Sequence, residues 1–340
     1  MKLEILSDIA NKMVTPGKGI LAMDESHPTC NNRFEKLNIP TTEENRRVYR
    51  NMLVTTSGLS DFISGAILFD ETIKQTTLSE IPFPKYLYDN GIIPGIKVDA
   101  GAKELAGHSG EKVTEGLDGL RERLLEYKKL GAMFAKWRAV ITIFDSAPSM
   151  ACIEANAHGL ARYAALCQET DIVPIVEPEV LMDGDHSIER SLEVTELTQA
   201  VVFDQLKKQN VAIEGIVLKP SMVISGSTAK NRANIQTVAE QTVNCLKKTV
   251  PAELPGIAFL SGGQTDEEAS AHLDAINRIS GSPWALTFSY GRALQQTAMQ
   301  TWAGIDKNIE AAQKAIYKRA KLNSAACTGT YDASLEKEAA

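Results

Sequence analysis

Eight short apolar runs recur along this chain, and a longer segment of helical character follows nearly every one. The runs fall at residues 19–24, 65–70, 92–99, 132–141, 172–179, 215–218, 256–263 and 284–291. None alternates apolar with polar residues, so each reads as a strand covered on both faces. Strands of that kind pair in parallel and need helical crossovers. The intervening segments carry helix signals: Thr41 and Thr42 precede Glu43 and Glu44 at the head of a helix to about residue 58, and Gly131 follows a charged amphipathic stretch at 117–130. Further helices are predicted at 149–169, 187–209, 231–249, from a cap at Thr265 or Asp266 to 279, and at 293–323. Eight such units predict an α/β fold, a single (β/α)8 TIM barrel over residues 1–326. An open doubly wound sheet is the competitor, but Gly17-Lys18-Gly19 is not the GxGxxG that fold places after its first strand. Pro94-Gly95 is a turn signal inside the third run. Residues 327–340 are small and polar and read as a flexible C-terminal tail.

Charge and composition exclude several classes of function. A net charge of -7 argues against a general nucleic-acid binder. The chain has no apolar run of about 18 residues, so no membrane span is expected. Residues 1–10 form a polar, amphipathic start rather than a signal peptide, which points to the cytoplasm. Five scattered cysteines without a CxxC read as free thiols. His27, His108, His158, His186 and His272 form no HxxxH pair, and neither a metal site nor a cofactor is expected.

The sixth run ends Gly215-Ile216-Val217-Leu218-Lys219-Pro220. A lysine at the end of a buried strand is either paired with a carboxylate or held partly as free amine by burial, and a free amine attacks carbonyl carbon. The other strand ends decide between these. Functional groups of a barrel sit at the carboxyl ends of its strands. There the sequence places Asp24, Glu25 and Ser26, then Lys97 and Asp99, Lys136 and Arg138, Glu177 and Glu179, and finally Ser261, Gly262, Gly263, Ser289, Gly291 and Arg292. So many ionisable groups on buried strands need partners or a ligand, which favours a catalytic Lys219. Ser261-Gly262-Gly263 suits phosphate, with the following helix offering its positive end and Arg292 a guanidinium. Lys97 and Arg33 are candidates for a second phosphate on the far side.

The motifs LAMDES (residues 21–26), TEENRR (42–47), GIKVD (95–99), AKWR (135–138), IVEPE (175–179), LKP (218–220), FLSGGQ (259–264) and FSYGRALQ (288–295) resemble, in order, those of class I fructose-bisphosphate aldolases. The resemblance implies metal-free, reversible cleavage of fructose 1,6-bisphosphate to glycerone phosphate and glyceraldehyde 3-phosphate, in a homotetramer. It implies Lys219 as the Schiff-base lysine, Glu177 as general acid/base and Asp24 beside the reacting C4 hydroxyl. Lys136 becomes the second lysine, with Glu179 and Arg138 as supporting charges. Ser261, Gly262, Ser289, Gly291 and Arg292 match the C1 phosphate pocket, and Ser26, Arg33 and Lys97 the sugar chain and C6 phosphate. Transaldolase-like Schiff-base chemistry on one phosphate and a scaffold role are the alternatives. Two departures stand out. Asn31-Asn32-Arg33 replaces Gly-Lys-Arg, which implies a looser grip on the second phosphate and acceptance of sedoheptulose 1,7-bisphosphate. Animal members end in a tyrosine that visits the active site, and the nearest candidate here is Tyr331.

Overall fold

The structure, a computed structural model, describes residues 2–279 and 281–337. The strands are β1 (Gly19–Ala22), β2 (Ile63–Leu68), β3 (Ile93–Lys97), β4 (Ala102–Glu104), β5 (Lys112–Thr114), β6 (Phe134–Ile141), β7 (Val173–Val180), β8 (Val217–Leu218), β9 (Gly256–Phe259) and β10 (Ala285–Tyr290). All but β4 and β5 close into a parallel barrel, in the order β1-β2-β3-β6-β7-β8-β9-β10 and back to β1. The expected (β/α)8 TIM barrel is present. β4 and β5 form a small antiparallel hairpin above β3.

The helices are α1 (Leu3–Met13), α2 (His27–Glu35), α3 (Glu43–Val54), α4 (Asp70–Ile73), α5 (Phe83–Asp89), α6 (Leu120–Leu130), α7 (Met150–Glu169), α8 (Ile188–Lys208), α9 (Ile235–Thr249), α10 (Asp266–Arg278), α11 (Arg292–Trp302) and α12 (Ile309–Cys327). Their starts follow local chemistry. Thr42, Ser149, Ser187, Asn234 and Thr265 each accept a backbone N–H of the first turn of the helix that follows. Gly131 closes α6 in the left-handed conformation.

Side chains alternate across a strand, and this divides the core in two. Ile20, Ala22, Ile67, Phe134, Val173, Ile175, Val217 and Ala258 face inward and form one cluster with Leu6, Ile9, Ala10 and Met13 of α1, which plugs the amino end of the barrel. Leu21, Ala66, Leu68, Ile96, Ala135, Trp137, Val176, Leu218, Ile257, Phe259 and Phe288 face outward, against the helices.

The third strand holds against its local turn signal, and two other expectations change. Pro94 and Gly95 lie within β3, paired with Ala66 and Ile67. The Phe134 ring fills the barrel where a side chain at residue 95 would stand, 2.2 Å from the position of its Cβ, so glycine is needed there for space. The sixth strand is only Val217–Leu218, because Gly215 belongs to a 3-10 turn, Ile213–Gly215, packed tightly on Leu6 and Gln168. The described part of the expected tail is packed rather than free. Cys327 closes α12, and residues 328–337 lie against α10 and α12. The reason is charge: Arg319 is buried on α12, and Glu336 pairs with it at 2.5 Å. Residues 338–340 of the expected tail lie outside the described residues.

Candidate active site

The alternation that fills the barrel with apolar residues continues upward into charge. Two residues past Ala22 is Asp24; two and four past Phe134 are Lys136 and Arg138. Two and four past Ile175 are Glu177 and Glu179, and two past Val217 is Lys219. All point to the carboxyl end of the barrel, above the apolar plug, as the pleat requires. The Lys219 amide continues the ladder by donating to the Val176 carbonyl at 2.8 Å, which holds the lysine at the top of β8.

Lys219, Lys136 and Glu177 are 4%, 4% and 3% exposed. Glu177 bridges the lysines: its Oε1 lies 3.2 Å from Lys219 Nζ, and its Oε2 lies 3.2 Å from Lys136 Nζ. The second approach is an ion pair without an aligned hydrogen bond, so Oε2 retains an open acceptor position. Lys136 donates to Asp24 Oδ2 at 2.8 Å. Arg138 pairs with Glu179, and its backbone N–H donates to Asp99 Oδ2.

The two lysines move in opposite directions. Burial lowers the Lys219 pKa, the Lys136 charge adds to that, and Glu177 and Asp24 offset only part. Burial acts against the Lys136 ammonium too, but Asp24 and Glu177 outweigh it and raise its pKa. Burial opposes the Asp24 charge, yet the two lysines win and bring it down to about 2. The floor of the site therefore holds a charged lysine, a lysine inclined to lose its proton, and an ionised aspartate.

These residues line one cleft of about 1120 Å³. It gathers every sequence-derived candidate: Asp24, Ser26, Arg33, Lys97, Lys136, Arg138, Glu177, Glu179, Lys219, Ser261, Gly262, Gly263, Ser289, Gly291 and Arg292. The loop after β9, expected to take a phosphate, differs from expectation in one respect. The start of α10 is closed by a capping box between Thr265 and Glu268 and carries Asp266, Glu267 and Glu268 in its first turn. That end repels an anion. The start of α11 has no side-chain cap and begins at Arg292, whose guanidinium rests on the Gly262 carbonyl. Ser289 Oγ beside it is buried with no hydrogen-bond partner among the described residues. The anion-attracting helix end at this mouth is that of α11.

Thr29, Lys36, Gln296 and Gln300, to which the sequence assigns no role, also line the cleft, as does Asn32. Spacing could have found some of them. Gln296 and Gln300 lie four and eight residues past Arg292, and Thr29 lies four before Arg33, so each set shares a helix face. Asn32 does leave the rim without a charge at that position, and Lys36 supplies one nearby.

A (β/α)8 barrel with cations around a buried lysine–carboxylate cluster defines an enzyme for a small anionic substrate. Residues 5–340 match the family model described as fructose-bisphosphate aldolase class-I. A probable fructose-bisphosphate aldolase class 1 of Xanthomonas campestris pv. campestris is 60% identical over 332 residues, covering 97% of this chain and 99% of the relative. Fructose-bisphosphate aldolase B of Gallus gallus is 51% identical over 328 residues, covering 96% and 90%. The crystal structure of the Plasmodium falciparum aldolase, in complex with TRAP and a small-molecule inhibitor, superposes with a TM-score of 0.96 at 48% identity, covering 97% and 96%. This chain belongs to the class I fructose-bisphosphate aldolase family and is a lyase.

Proposed function

We propose that the barrel, one catalytic unit over residues 1–326, cleaves fructose 1,6-bisphosphate reversibly to glycerone phosphate and glyceraldehyde 3-phosphate through an iminium on Lys219. The observation that carries this is the buried Lys219 amine, its pKa lowered, 3.2 Å from Glu177 at the floor of a cleft rich in cations. The neutral amine attacks the C2 carbonyl. Glu177 moves the protons needed to expel water from the carbinolamine, using the oxygen that has no aligned partner. The iminium draws electrons from the C3–C4 bond while ionised Asp24 accepts the C4 hydroxyl proton, and the bond breaks to aldehyde and enamine. Protonation of the enamine at C3 and hydrolysis release the second triose phosphate and return the amine. Lys136 keeps its charge throughout and holds Asp24 and Glu177 in place. Ser261, Gly262, Gly263, Ser289, Gly291 and Arg292 take the C1 phosphate, and Ser26, Arg33 and Lys97 the sugar chain and C6 phosphate. Phosphates anchored at both ends fix C2 against the amine.

Borohydride added with glycerone phosphate and a chelator is expected to leave a reduced adduct on the Lys219 peptide and to abolish turnover. A folded protein with Lys219 unmodified would overturn the mechanism. Three finer parts of the reading rest on the resemblance and on the residues named: a homotetramer, residence in the cytoplasm, and secondary activity on sedoheptulose 1,7-bisphosphate. Among the described residues no helix is long and apolar enough to cross a membrane. A sedimentation mass other than a tetramer's, recovery of the protein outside the cytoplasmic fraction, or a kcat/KM ratio strongly favouring fructose removes the corresponding part.

A further inference from the structure

The three cations proposed to meet substrate phosphates are each held by a protein acceptor, and the acceptors differ. Arg292 rests on the neutral carbonyl of Gly262. Lys97 donates to Asp99 Oδ1 at 2.5 Å, but Asp99 also accepts from the backbone N–H groups of Gly101 and Arg138, so it keeps partners when Lys97 leaves. Arg33 pairs with Glu25 at 2.5 Å, with side chains 13% and 11% exposed. Among the described residues no other donor reaches the Glu25 carboxylate; its Oε2 is buried and unpartnered, as is Arg33 Nε. The Glu25 main chain is fixed, because fully buried Arg50 donates to its carbonyl at 2.7 Å and is itself paired with Glu71. Any change at Glu25 that releases Arg33 therefore falls on the side chain.

We infer that Glu25 is a specificity-determining residue that occupies the distal phosphate position on Arg33 and yields it only to a dianionic group. The inference rests on the reading of Arg33 as a distal phosphate ligand. Taking Arg33 away leaves a poorly exposed carboxylate without its one cation, an unfavourable state that the incoming group must outweigh. A phosphate dianion forms two charge-assisted bonds to a guanidinium and does so. A hydroxyl at the same end of the sugar cannot, and Arg33 then stays on Glu25. Glu25 thereby sets how much the enzyme gains from the second phosphate, and weakens adventitious anions at that end of the cleft.

The test compares fructose 1,6-bisphosphate with fructose 1-phosphate, which lacks the distal group. In Glu25→Gln the KM for the bisphosphate is expected to fall about three- to tenfold relative to that for the monophosphate, the scale of one partly exposed ion pair. Inhibition by inorganic phosphate tightens in parallel. In Arg33→Ala the bisphosphate KM rises, and adding Glu25→Gln to Arg33→Ala changes nothing further. A Glu25→Gln variant in which both KM values rise together, or neither moves, overturns the inference while a raised KM in Arg33→Ala leaves the ligand reading intact. An Arg33→Ala variant with unchanged bisphosphate KM overturns both. Should Glu25→Gln fold poorly, the wild-type enzyme crystallised with a hexitol bisphosphate decides: Glu25 and Arg33 are expected beyond ion-pair distance, and an intact pair overturns the inference.

Discussion

At the scale of single residues, the site turns on two lysines of the same chemistry with opposite behaviour. Both are buried, on β6 and at the end of β8, the two strands that flank β7, and both touch Glu177 of that strand. What separates them is Asp24, which lies 2.8 Å from Lys136. Lys136 has two carboxylates at hand and keeps its proton; Lys219 has one, shared, and a positive neighbour. The lysine proposed as nucleophile is thus set apart by which lysine holds the aspartate. Lys136→Met should reverse the arrangement, since Lys219 then loses a repelling charge and inherits both carboxylates. Its pKa rises and less free amine is present at neutral pH. The acid limb of iminium formation, followed by borohydride trapping across pH, is expected to move to higher pH, and turnover to fall by about 10²-fold. A limb that stays in place would show that Lys136 does not set the Lys219 pKa.

At the scale of elements, strand ends were legible and helix faces were not. A strand's pleat has a period of two, so a charged residue two places beyond an inward apolar one must enter the barrel mouth, and this can be counted in the sequence. That is why Asp24, Lys136, Glu177 and Lys219 were found. The second rim of the cleft comes from α2 and α11. Of the nine residues of α2 only Cys30 and Phe34 are buried, too few to display a helical stripe, and the helix escaped notice. Glu25 was visible as a strand-end charge, but its partner eight residues on could be assigned only once α2 had turned Arg33 back towards it. β3 was legible, but one local signal within it pointed the other way. Its Pro-Gly signal is local, whereas the demand for glycine comes from Phe134 on the adjoining strand β6. The helix end after Gly263 was read from its position alone, without weighing the acidic first turn of α10.

At the scale of the whole molecule, the question is whether the end of the chain takes part in chemistry. The resemblance raises it, since the only aromatic hydroxyl near the end is Tyr331. That residue is buried away from the cleft lining. Its backbone N–H donates to Asp274 on α10 at 2.8 Å, its carbonyl accepts from Arg278, and its hydroxyl donates to Glu336 at 3.0 Å. Glu336 in turn holds Arg319 of α12, which donates to the Asp266 carbonyl at the first turn of α10. Burial and the Glu336 carboxylate both raise the Tyr331 pKa, so its hydroxyl keeps its proton. The arrangement ties residues 331–336 to α10, the helix that follows the loop after β9, and it engages Tyr331 fully in doing so. Tyr331→Phe removes one hydrogen bond to a carboxylate that Arg319 still satisfies. It is expected to cost about 1 to 2 kcal/mol of stability, read as a lower thermal midpoint, while kcat for the bisphosphate stays within error of the wild type. A fall in kcat with an unchanged midpoint would mean the opposite: that Tyr331 leaves this pocket during turnover and delivers its proton in the cleft.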